Sequence, residues 1–222
     1  METMSADEQF FMEYRLLEIY HKRKSRSSTK SKYTIVSPGP ALQSRQPFRA
    51  AKINDGHPVL FSAKTDAFDQ VAAKLTDIVD SVPPTQDQVE TDSGSGVIQR
   101  LVELLKEYGD QVNEKIQNDE QLLRHLQGSF SYNLFEKLAS AFIQSIVPQG
   151  KAEERQREEV DQKIKIAWTF EMTSRLSTLD LQPMNRAMGF GAKYVHQHFA
   201  PWIQQHGGWE NAFKIHDDDE VQ

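Results

Sequence analysis

Two tryptophans seven residues apart, with a glycine pair between them, constrain this chain more than any other feature. They stand in Pro201-Trp202-Ile203-Gln204-Gln205-His206-Gly207-Gly208-Trp209-Glu210. Trp202 and Trp209 are large apolar anchors that a water-soluble chain must cover. Gly207-Gly208 reads as a helix stop, because glycine takes left-handed backbone angles without a Cβ clash. The segment therefore predicts a helix that ends, turns sharply and restarts, with an indole packed on each side of the corner. Taken on spacing alone, such a corner closes a helical core and needs no further role.

A second motif lies upstream, in Leu101-Val102-Glu103-Leu104-Leu105-Lys106-Glu107-Tyr108-Gly109-Asp110-Gln111-Val112. Leu101, Leu105, Tyr108 and Val112 fall at i, i+4, i+7 and i+11, which is one stripe of a helix. Gly109 beside the stripe allows close approach of a partner backbone. Asp110 at its edge is placed to pair with an arginine across a groove. Spaced apolar anchors of this kind let a helix lie in a hydrophobic groove. They serve equally as the inward face of an ordinary core helix.

In this order, the two segments resemble the Bcl-2 family of apoptosis regulators. Leu101 to Val112 is similar to that family's third homology motif (BH-three), with Leu105 as its central leucine and Gly109-Asp110 as its usual pair. Pro201 to Trp209 resembles the second homology motif (BH-two), here Pro201, Trp202, Ile203, Gly207, Gly208 and Trp209. The resemblance extends over about Asp66 to Ile215 and includes Met184 to Tyr194. It implies an all-α fold, a bundle of about seven or eight helices around a buried central hairpin. It also implies Bcl-2 family partners for the BH-three helix.

Composition agrees with that class and excludes others. The chain has 222 residues, 38% of them hydrophobic, and no cysteine. Disulfides, thiolate catalysis and cysteine-rich zinc sites are thereby excluded. The polar start of the chain carries no signal-peptide pattern. No apolar run approaches the ~18 residues of a membrane span. The expected compartment is the cytosol, with any membrane contact peripheral.

Charge divides the chain. His21 to Lys52 holds nine Lys or Arg and no acid, so the rest carries a net −15 against −6 overall. Its serines and prolines add no apolar surface, and we read it as a disordered basic arm. Such an arm suits a solvated tether, or an electrostatic contact with anionic lipid; nucleic-acid binding is not expected, since no aromatics interleave. Ahead of it, Gln9 to Tyr20 carries Phe10, Phe11, Tyr14, Leu16, Leu17, Ile19 and Tyr20, and suits a short helix docked on the domain. The expected organisation is residues 1–64 as aromatic segment plus arm, 65–216 as helical domain and 217–222 as acidic tail.

Helical periodicity then predicts Ala67 to Ser81, stopped by Pro83-Pro84, and Val97 to about Gln117 around the BH-three motif. A further helix covers Tyr132 to Ile146, capped by Ser129 or Ser131, and a long one covers Ala152 to about Leu176. Another runs from Pro183 to Gln205, with a short helix from Trp209 to Ile215.

Two departures from the family narrow the function. The first homology motif should carry Asn-Trp-Gly-Arg, but Val147 to Arg155 lacks that pattern. A groove that captures a partner's BH-three aspartate is therefore not expected. The long helix contains Lys163, Lys165 and Glu171, and each charge costs about 2.5–3.5 kcal/mol near a bilayer centre. The reading is a regulator of apoptosis, death-promoting, that acts by protein–protein contact through its BH-three helix. The alternative is a signalling or trafficking scaffold that keeps the fold and contacts partners or membranes through its N-terminal arm. No phosphate loop or nucleophile elbow is present, so no enzyme activity, metal or cofactor is expected.

Overall fold

The structure is a computed structural model. It describes residues 10–32, 60–84, 96–107, 111–128, 130–146, 154–179 and 184–214. Among these residues there are nine helices and no strand. They are α1 (Phe11–Lys32), α2 (Leu60–Ser81), α3 (Gly96–Lys106), α4 (Gln111–Gln117), α5 (Glu120–Gly128), α6 (Tyr132–Gln144), α7 (Glu154–Ser177), α8 (Met184–Gln205) and α9 (Trp209–Ala212). The all-α bundle expected from the sequence is the fold observed.

Helix α7 is the axis. It packs against α1, α2, α3, α6 and α8. From Ile166 to Ser174 every residue is buried, so this stretch is enclosed on all sides. Its two threonines, and Ser177 just beyond it, bond back along the helix. Thr169, Thr173 and Ser177 each donate a hydroxyl to the carbonyl four residues earlier, at 2.8, 2.7 and 2.7 Å. Small side chains there also let α8 come close. A Cβ added at Gly191 would run into the Thr173 side chain, so the glycine gives this crossing its room.

Helix α6 begins as its sequence directs. Ser131 accepts a hydrogen bond from Leu134 N at 3.3 Å and caps it. Phe135, Leu138, Ala139 and Phe142 face the core, joined by Ile143. The α8–α9 corner follows the glycine pair. Gly207 N donates to Gln204 O at 3.1 Å and Gly208 N to Ile203 O at 2.9 Å, the paired bonds of a Schellman stop. Both glycines have positive φ, 78° and 91°. Phe213 lies between the indoles, 6.4 Å from Trp202 and stacked on Trp209 at 5.9 Å. Trp209 also meets Phe170 of α7 at 5.7 Å, which ties the corner to the axis.

Three expectations are corrected. The basic stretch from His21 is not disordered throughout, because α1 continues as helix to Lys32. Leu16, Leu17 and Tyr20 are fully buried, so the first turns are fixed by packing. Extending an anchored helix needs no new nucleus, and Lys and Arg are good helix formers. The N-terminal helix thus belongs to the same core as the rest, and α2 starts at Leu60. Second, Val97 to Gln117 is two helices, α3 and α4, not one. Third, α5 has no counterpart among the expected helices. Asp119 caps it, accepting from Gln121 N and Leu122 N at 3.1 and 3.2 Å. The remainder of the basic arm, the first-motif region 147–153 and the acidic tail lie outside the described residues.

Gly208 has φ 91° and ψ 177°, a region essentially confined to glycine. We expect Gly208→Ala to lower stability by about 1–3 kcal/mol, although its added methyl meets nothing. Denaturant unfolding measures this, and an unchanged midpoint would exclude strain as the reason for the glycine.

Candidate functional site

The candidate site is α3 and what holds it. Four apolar residues, Ile98, Leu101, Val102 and Leu105, are buried, and they form the face that packs on α6. Val112 on α4 is buried too. Of the expected ridge, Leu101, Leu105 and Val112 thus point inward together. Tyr108, Gly109 and Asp110 lie outside the described residues. In the corner motif, Ile203 and Trp209 are buried, Trp202 is half-buried and Pro201 is exposed.

A helix leaves its last carbonyls without partners. At the end of α3 an arginine from another helix supplies them. Arg175 Nη1 on α7 donates to the carbonyls of Leu105 and of Lys106, the second at 3.3 Å. A guanidinium here also complements the negative end of the helix dipole. The two carbonyls are met by Arg175 at the point where the apolar spacing suggested that the helix continues.

Arg175 is itself held by a buried carboxylate. Glu171 is 1% exposed and lies one turn back on α7. It accepts from Arg175 Nε at 2.8 Å and from the Tyr20 hydroxyl on α1 at 2.6 Å. Lys24 Nζ of α1 stands 3.4 Å from Glu171 and 3.4 Å from Asp80 at the end of α2. One network therefore joins α2, α1, α7 and the C-terminus of α3. Burial alone pushes the Glu171 carboxyl upward. The charges of Arg175 and Lys24 outweigh it, helped by hydrogen bonds from Tyr20 and Arg175, and hold it below its ordinary value. Burial, followed by the charge of Glu171, drives the Tyr20 phenol far upward, so it stays a donor.

The outer face of α3 is laced more loosely. Arg100 pairs with Asp119, the α5 cap, and Lys115 of α4 pairs with Glu107. Surface pairs like these contribute little each. No group of three or more His, Asp or Glu able to hold a metal ion occurs among the described residues. His196 and His198 face Glu13 and Glu136 instead, at 3.3 and 3.5 Å. No helix among the described residues is long and apolar enough to cross a membrane.

Sequence reasoning anticipated the inward packing of Leu101, Leu105 and Val112 but not the polar contacts at the end of α3. Glu171 and Arg175 stand at i and i+4 inside the apolar run Ile164 to Leu176, and that spacing is the available signal. Tyr20 and Lys24 give none, since their role depends on α1 crossing α7.

Tyr20→Phe removes one hydrogen bond to a buried carboxylate, and we expect a loss of about 1.5–3 kcal/mol in chemical unfolding. The lowered pKa of Glu171 means its ionised form stabilises the fold. That contribution is complete above the ordinary value of 4.5 and fades as pH falls below it. Thermal melts of wild type and Glu171→Gln should therefore differ most near neutral pH and converge in acid. A gap that stays constant with pH would show that the charge is not what stabilises.

No family model matches the chain, and no solved structure does. The human protein named apoptosis facilitator Bcl-2-like protein 14 is 36% identical over 132 residues, 60% of this chain and 39% of the relative. The mouse protein of that name is 35% identical over 129 residues, 58% of this chain and 38% of the relative. Human Bcl-2-like protein 12 is 28% identical over 122 residues, 54% of this chain and 46% of the relative. The chain thus spans about two fifths of the length of the Bcl-2-like protein 14 relatives it matches. With two segments in order that resemble the family's motifs, on an all-helical bundle, the chain is similar to the Bcl-2-like protein 14 proteins over a little more than half of its length.

Proposed function

We propose that the chain is a death-promoting regulator of apoptosis that works by presenting α3 to the groove of a Bcl-2 family partner. It carries out no catalytic step. The observation that supports this reading is that α3 carries the first two residues of the BH-three spacing, Leu101 and Leu105, and that its C-terminus is held by side-chain contacts from another helix. Relatives named as apoptosis facilitators support its direction.

In the folded domain Leu101 and Leu105 are buried, so the ridge is not available as it stands. Presentation requires α3 to leave α6 while the rest of the bundle persists. Opening of one short unit at a free energy below global unfolding is ordinary for proteins. A partner that binds only the open form draws the population toward it. In the groove, the apolar side chains supply affinity, each worth about 1.5–3 kcal/mol when buried. Asp110 supplies orientation by pairing with a groove arginine.

A peptide covering residues 95–118 isolates this recognition from the fold. Titrated against survival-type Bcl-2 proteins, the wild-type peptide should bind, and Leu105→Ala should weaken it at least tenfold, the lower end of the burial estimate. Asp110→Ala should weaken it as well. Equal affinities for the three peptides would exclude groove recognition through this ridge. The full-length variant needs circular dichroism beside the binding assay, because Leu105 is also a core residue.

A further inference from the structure

We propose that the outward ridge of α1 is a docking surface for anionic lipid. Phe11, Arg15, Lys22 and Arg26 fall at i, i+4, i+11 and i+15, which is one line along a helix. Met12 and Arg23 repeat the same eleven-residue step beside it. All six are exposed. Phe11 and Met12 are 65% and 52% exposed, and large apolar side chains that bare are otherwise represented among the described residues only by Val160. The ridge therefore has an apolar end and a cationic end, about 22 Å apart at 1.5 Å per residue.

The remaining features fit that ligand. The single acid on the ridge, Glu18, is neutralised by Arg15 at 2.9 Å. The helix continues from Lys22 to Lys32 with no acid and six Lys or Arg, of which Lys24 turns to Glu171 and Asp80 and is not part of the ridge. The opposite face is fixed, with Leu16, Leu17 and Tyr20 fully buried and Tyr20 bonded to Glu171. The ridge is thus preformed, and binding costs little ordering. A helix of this pattern lies in the plane of the interface, with aromatic or thioether side chains in the acyl boundary and cations against the headgroups. A polynucleotide satisfies the cations only. It leaves Phe11 and Met12 uncovered, and no aromatic stands among the cations to stack on bases.

Flotation of the full chain with lipid vesicles tests this independently of the reading of α3. Vesicles of phosphatidylcholine alone should not carry the protein, whereas an equal mixture with phosphatidylserine should do so at about 0.1 M salt and release it near 1 M. Each cation near an anionic surface contributes about a fivefold factor, so Lys22→Gln with Arg23→Gln should weaken binding about 25-fold. Phe11→Ser with Met12→Ser should weaken it as well. Lys214→Gln, an exposed cation on the far end of the chain, should leave it unchanged. Circular dichroism confirms that these surface variants remain folded. Failure to float with the mixed vesicles would overturn the proposal. So would equal binding to neutral vesicles, wild-type binding by either double variant, or tighter binding of a single-stranded polynucleotide through Lys22 and Arg23.

Discussion

A carboxylate in the middle of a hydrophobic bundle dictates much of this architecture. Glu171 is enclosed on the central helix, where an unpaired ion would cost several kcal/mol. It therefore recruits Arg175 from its own helix and Tyr20 and Lys24 from α1. Replacing such a group by an apolar one often costs nothing in stability, whereas stranding it costs a great deal. What the carboxylate contributes is geometry. It sets how α1 crosses α7, and it aims the second face of the Arg175 guanidinium at the end of α3. Stacking of that guanidinium over Trp168, 5.6 Å from the ring centre, fixes the aim further.

The same arrangement decides what α3 can do. Its inner face is as apolar as any core helix, yet it is only eleven residues long. It lacks the length to persist as a helix once detached. Its attachment includes four buried side chains, the ion pair of Arg100 with Asp119 and the contact of Arg175 with its last carbonyls. By contrast α7 and α8 meet at a glycine contact, and the tryptophan corner is pinned by Phe170 and Phe213. The bundle thus sets α1, α2, α7, α8 and α9 around one long axis, with the short α3 packed chiefly on α6.

Much of the frame was legible in the sequence. The apolar spacing of α6, its Ser131 cap, the long α7 and the Gly207-Gly208 stop are local signals, and local signals survive into the fold. The continuation of α1 through Lys22 to Lys32 was not legible. Composition there argues against a packed core, but a helix anchored by Leu16, Leu17 and Tyr20 needs none beyond its first half. The end of α3 at Lys106 was hidden for a different reason. Its last carbonyls are met by a side chain seventy positions later in the chain. The ridge of the candidate site was therefore readable as Leu101, Leu105 and Val112, while its clamp, a long-range polar contact, was not.

Hydrogen exchange on an Arg175→Gln variant tests the central claim most directly, which is that Arg175 holds the motif helix to an otherwise independent frame. The shorter, neutral amide would keep some packing but lose the charged contact that reaches both Glu171 and the α3 carbonyls. The account predicts that amides of residues 98–106 lose protection far more than those of α6 and α8, with α3 opening below the free energy of global unfolding. A loss of protection spread evenly over all helices, or none in α3, would contradict it.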